Sequence, residues 1–202
     1  MTTTLDLSPA ATEVARLLHG VRDDHLAGPT PCPDYSVAAL LDHLMGLSMA
    51  FTWAATKTTP PAESGEAGPP DPSAEHLDAG WRRELPERLR ALAAAWKDPD
   101  AWTGMATAGG VTMPAEVMGA VALDEVVLHG WDLARATGQE LVLDPASTHA
   151  VLAFTETSAR PENEAGRAGV FGPVVPVPAD APPLDRALGY AGRDPSWAPP
   201  TP

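Results

Sequence analysis

Glu125-Val-Val-Leu-His129-Gly-Trp-Asp-Leu-Ala-Arg-Ala-Thr-Gly138 opens with a carboxylate and an imidazole four residues apart. On a helix such a pair projects from one face, one turn apart, close enough to hydrogen-bond or to share a metal ion. The surroundings predict that helix. Pro114 fits a first turn, Gly138 fits a C-terminal cap, and the face carrying the pair reads Met118, Val121, Glu125, His129, Leu133 and Ala136. Two polar groups therefore interrupt an apolar stripe. An ionised carboxylate in a core is costly unless a cation or a set of hydrogen bonds compensates it. Spacing alone leaves two compensations open: a Glu125–His129 hydrogen bond, or a divalent ion with a third ligand from elsewhere in the chain.

Towards the amino terminus, Ser36 fits the cap of another helix, whose stripe Val37, Leu40, Leu41, Leu44, Leu47 and Phe51 follows helical spacing closely. His43 sits on the border of that stripe, a place where a packed, hydrogen-bonded histidine and a ligand look alike. Before it, Ser8-Pro9 reads as an N-cap with proline in the first turn, opening a helix with Val14, Leu17, Leu18 and Val21 that is expected to end near Leu26. Ala27 to Asp34 is a proline-stiffened connector, and its Cys32 reads as a packed thiol because no basic neighbour in sequence would activate it.

Thr58 to Asp71 is polar and rich in Pro and Gly, hence a predicted mobile loop. Ser73 then reads as the cap of a third helix carrying Leu77, Trp81, Leu85, Leu89, Leu92 and Trp96, bent at Pro86, with His76 on its solvated face. Asp98 to Thr112 is irregular, with turns and a short extended piece. After Gly138, Asp144-Pro145 starts a fifth helix with Val151, Leu152 and Phe154, and His149 reads as surface. Beyond Arg160 come an apolar extended strap, Val170 to Pro178, and a short last helix, Leu184 to Tyr190. The strap is expected to lie over the helices, since its valines and Phe171 would otherwise be exposed.

The chain has 202 residues, a formal net charge of -14 and only 13 Lys and Arg, which opposes binding to nucleic acid or an anionic membrane. A single cysteine suits a reducing compartment. The first residues lack the basic and apolar regions of a signal peptide, and no apolar run reads as long enough to span a bilayer. These features predict a cytoplasmic protein of one domain. No glycine-rich phosphate loop or serine-nucleophile elbow is present.

Three separated segments together resemble one family. Thr30-Pro-Cys-Pro-Asp-Tyr-Ser-Val-Ala-Ala-Leu-Leu-Asp-His43-Leu44 and Asp124 to Gly138 are similar to the two signature regions of the DinB-like superfamily, in the branch around the mycothiol-dependent maleylpyruvate isomerase amino-terminal domain. Phe171 to Pro178 and Gly192-Arg-Asp-Pro-Ser-Trp197 resemble the carboxyl-terminal segment of its short actinobacterial members. The resemblance implies an all-α fold: a DinB-like four-helix bundle, here with an extra short helix and an irregular C-terminal strap. It implies a divalent ion held by His43, Glu125 and His129, and mycothiol as cosubstrate. Residues 1–158 are expected to form the metal-binding bundle, with 159–202 packed on it in the same domain.

Two imidazoles and one carboxylate suit zinc with an open fourth position, and nickel, manganese or iron accept the same ligand types. Asp132 and Arg135 have two readings: they orient a ligand or cosubstrate, or they form a surface ion pair three residues apart. The leading expectation is a metal-dependent thiol transferase or isomerase acting on a small electrophile, as a monomer or homodimer. The alternatives are a non-catalytic metal-binding or stress-related bundle, and a metal-assisted hydrolase.

Overall fold

The computed structural model describes residues 4–58, 71–167 and 170–200. Its elements run α1 (Ser8–Leu18), α2 (Val37–Thr56), α3 (Trp81–Ala95), a hairpin β1 (Met105–Ala108) and β2 (Val111–Pro114), α4 (Ala115–Ala136), α5 (Pro145–Ser158), α6 (Glu164–Arg167) and α7 (Pro183–Tyr190). The molecule is mostly helical. The hairpin corrects the all-α expectation: Gly109 and Gly110 have φ of +56° and +80°, the pair of left-handed residues that a two-residue hairpin turn requires.

α2 packs on α3 and α4, α1 packs on the same two, and α5 lies between α4 and α7. The core they share contains Leu17, Leu40, Leu44, Leu85, Leu89, Met118, Leu123 and Leu133, all at most 1% exposed. α2 corrects another expectation. By length and composition it is apolar enough to cross a membrane, with mean hydropathy 1.3, but 61% of that window is buried inside the protein. A helix packed on two neighbours carries apolar residues on most of its circumference, so it loses the amphipathic pattern of a surface helix.

Local chemistry explains where the helices begin and end. Ser8 is the first residue of α1 rather than its cap: Leu7 holds the N-cap position without a side-chain bond, and Asp6 Oδ1, one residue earlier, accepts the Ser8 amide at 2.9 Å. α1 stops at Leu18, well before Leu26, because the chain tightens into turns and Arg22 is extended, with Asp23–His25 forming a single 3₁₀ turn. α3 likewise starts at Trp81, not after Ser73. The Ser73 amide donates to Asp42 Oδ2 at 3.1 Å and its hydroxyl oxygen accepts the Glu75 amide at 3.2 Å, so Ser73 closes a turn. α3 then runs through Pro86. Residues 59–70 of the predicted loop lie outside the described residues.

The remaining readings hold at the level of elements. Ser36 caps α2 by accepting the Ala39 amide, and Asp144 caps α5 by accepting those of Ala146 and Ser147. Gly138 follows α4 with φ +67°. In the carboxyl-terminal segment α7 packs on α5 and Phe171 meets Phe154, but Val170 and Val174 of the strap stay 54% and 45% exposed, so the expected covering of its valines is only partial. Val175 donates its amide to the Gly189 carbonyl, and Ala187, Leu188 and Ala191 are fully buried.

Candidate metal site

Contact between α2 and α4 brings the sequence-separated donors together. His43 lies in the second turn of α2 and Glu125 and His129 in the middle of α4. Glu125 Oε2 is 3.4 Å from His43 Nε2 and 3.2 Å from His129 Nε2. The two imidazoles meet edge to face, with centroids 4.7 Å apart and planes at 85°. One donor atom from each of the three residues lies within 4.8 Å of the others.

These distances test whether an ion fits. Donors bound to a tetrahedral zinc at about 2.0–2.1 Å are about 3.3 Å from one another, close to the two separations from Glu125 Oε2. Among the described residues no lysine or arginine side chain shares a hydrogen bond or ion pair with Glu125, whose direct partners are the two imidazoles. Burial works against the Glu125 charge, but hydrogen bonds from His129 and His43 outweigh it and depress the carboxyl well below its ordinary value. Burial also opposes charge on His129. Its bonds to Asp132 and Glu125 win, raising the imidazole to about 9 in the metal-free protein. His129 therefore holds a proton that a divalent ion would replace.

The side chains of His43, Glu125 and His129 are 26%, 20% and 8% exposed, so the group is reached from the α2 side and rooted on the α4 side. The connector before α2 supplies one wall. Thr30 donates its hydroxyl to the carbonyls of Cys32 and Tyr35, and the amides of Val37 and Ala38 bond back to Gly28 and Leu26. Held this way, the Tyr35 ring lies 5.3 Å from His43 and 6.2 Å from His129, its hydroxyl pushed up to about 12, chiefly by burial. Burial, then the nearby Asp132, raises the Cys32 thiol to about 11, which agrees with a packed rather than a nucleophilic cysteine. His76 and His149 are on the surface, as expected.

Asp132 and Arg135 do not form a surface pair. Asp132 is fully buried, with Oδ2 3.0 Å from His129 Nδ1 and 2.8 Å from Arg193 Nη2. Burial would push its carboxyl up, yet Arg193 and His129 hold it below the ordinary range. Arg135 instead donates to the Trp197 carbonyl, at 2.9 Å from Nε. Sequence reasoning assigned no role to Tyr35, Asp124 or Arg193. Asp124 is buried beside Glu125, and its Oδ1 has no hydrogen-bond partner among the described residues. Burial first, and then the Glu125 charge, raises this carboxyl well above its usual value. Its position one residue from Glu125, off the apolar stripe, was the only signal in the sequence.

A family model described as the mycothiol maleylpyruvate isomerase N-terminal domain matches residues 7–134. Two curated relatives, the uncharacterized proteins MT0763 and Rv0738 of two Mycobacterium tuberculosis strains, are each 32% identical over 182 residues, covering 89% of this chain and 91% of theirs. Among solved structures, the mycothiol-dependent maleylpyruvate isomerase aligns with a TM-score of 0.52 at 22% identity, over 74% of this chain and 68% of that one. A histidine-to-alanine mutant of that enzyme aligns equally well at 21% identity. At such identities the likeness is one of fold.

Proposed function

Because the chain belongs to the mycothiol maleylpyruvate isomerase N-terminal domain family, we propose that it is a divalent-metal-dependent thiol transferase or isomerase. Mycothiol is its cosubstrate, a small electrophile its second substrate, and α1–α4 are read as the family's four-helix bundle. The observation that carries this reading is the convergence of His43, Glu125 and His129 from two packed helices at separations that suit one ion.

Each residue then has a task. His43 and His129 present neutral nitrogen donors, while Glu125 brings the negative charge that a buried cation needs. Asp132 accepts from His129 Nδ1, which leaves Nε2 directed at the site. Tyr35 shields the two imidazoles from solvent with its ring. Zinc, the ion this donor set suits best, supplies Lewis acidity that lowers the pKa of a bound thiol, so that thiolate is available at neutral pH.

The test is elemental analysis of protein purified without added metal, followed by the rate of mycothiol conjugation to monochlorobimane. We expect close to one ion per chain, and a rate that disappears in the triple variant His43→Ala, Glu125→Gln, His129→Ala. A wild-type rate equal to that of the triple variant overturns the reading. A second reading, a non-catalytic ion that stabilises the fold, is favoured by the rooting of His129 in a buried network. It predicts the same metal content with no conjugation and a large loss of thermal stability on chelation.

A further inference from the structure

We propose that Arg193, far beyond Ala134 where the family match ends, is a positioning residue for the candidate metal site, acting through Asp132 on His129. The inference rests on the metal-site reading above and adds to it a component from the carboxyl-terminal segment.

The arrangement starts with the end of α7. The Gly192 amide bonds to the Gly189 carbonyl at 3.1 Å and the Arg193 amide to that of Leu188 at 2.9 Å, the paired bonds of a Schellman motif. Gly192 has φ +83°, and a Cβ there would come within 2.7 Å of the Gly172 backbone, so only glycine suits the position. This cap reverses the chain and directs the Arg193 side chain inwards. Arg193 is 8% exposed. Its Nε lies 3.1 Å from Asp132 Oδ1, its Nη2 2.8 Å from Oδ2, and Nη1 donates to Ala191 at 3.3 Å. In the opposite direction, Arg135 of α4 holds the carbonyl of Trp197 through two nitrogens. The segment after α7 is thus clasped to the helix carrying Glu125 and His129 by one arginine from each side.

The two-pronged contact matters because it fixes both oxygens of Asp132. A carboxylate with both oxygens engaged by a planar guanidinium cannot rotate. Its Oδ2 becomes a stationary acceptor for His129 Nδ1, 3.0 Å away. With Nδ1 committed as donor, the ring is locked and Nε2 faces Glu125, 3.2 Å away. Without Arg193, Asp132 is a buried carboxylate with a free rotor, and His129 loses its fixed orientation.

The alternative is an ion pair that only fastens the tail, and two readouts separate the two. The first is zinc affinity of the full chain, by competition with a chromophoric chelator. We expect Arg193→Ala to weaken it by about 10- to 100-fold, as loss of a partner behind a ligand histidine does, with Arg193→Lys intermediate. The second is the hydrogen-bonded Nδ1 proton of His129, observed by NMR in metal-free protein. It is expected in the wild type and in His43→Ala, and absent in Arg193→Ala. Should Arg193→Ala not fold, Arg193→Gln preserves the side-chain bulk and serves in its place. Zinc affinity within threefold of wild type, or an intact Nδ1 proton, in the Arg193 variant overturns the proposal, whatever happens to its melting temperature. If the wild type itself binds no zinc, the metal reading fails, and the NMR signal alone then supports or overturns the link from Arg193 to His129.

Discussion

Glu125 and His129 share one hydrogen-bonded charge pair, and its proton balance sets how the site responds to pH. In the metal-free protein His129 is raised from 6.5 to about 9. Its contribution to stability is therefore complete below about 6.5 and is lost as pH rises through about 9. An ion taking Nε2 must displace that proton. Zinc binding at pH 7.5 is expected to release about one proton, and the apparent affinity to rise about tenfold per pH unit up to about 9. Calorimetry in buffers of different ionisation enthalpy measures both. Asp124 acts in the same direction. Its raised carboxyl must stay protonated inside, so its contribution is favourable only at low pH and falls as pH rises above 3.8. Asp124→Asn, which mimics the protonated form, should raise stability at pH 7.5 in urea unfolding and flatten the pH dependence. At this scale the apolar stripes marked His43, Glu125 and His129 as polar groups on or beside buried faces, and only the family resemblance joined them into one donor set. Arg193 was not legible, since 61 residues separate it from Asp132 and no local pattern links them.

Helix α2 carries His43 in its second turn, so its cap matters to the site. Ser36 Oγ accepts the Ala39 amide at 3.2 Å. Ser36→Ala should cost about 1 kcal/mol, read as a lower urea midpoint at unchanged slope. Leu85, at 0% exposed, packs in α3 immediately before Pro86. Leu85→Ala leaves a cavity among α1, α2 and α3 and should cost about 2–5 kcal/mol. The elements with long, regular apolar stripes were legible, α2 and α4 above all. The errors fell at ends, where competing polar partners decide. Asp6 takes the Ser8 amide ahead of an N-cap at Leu7, and Asp42, 31 residues away, takes that of Ser73, a contact that local propensity does not contain.

For the molecule as a whole, an ion bound only by the folded state stabilises it by mass action. With zinc at about 1,000 times its dissociation constant, removal by chelator should cost about 4 kcal/mol, a fall of roughly 10 °C for a chain of this size. The His43→Ala variant should melt at the same temperature with and without chelator, because it lacks the third donor. Scanning calorimetry distinguishes the two behaviours. By itself the sequence determined the helical class and the one-face placement of Glu125 and His129, since these depend on periodicity, caps and spacing carried within single segments. The family and the choice of His43 as third donor came from the resemblance of its separated motifs. Only the tertiary structure decided that the donors converge, that Tyr35 forms a wall, that Asp124 is buried without a partner, and that the carboxyl-terminal segment reaches Asp132. Those outcomes follow from which helix faces meet and how a buried charge finds its partner, and the free energy of each is set by groups far apart along the chain.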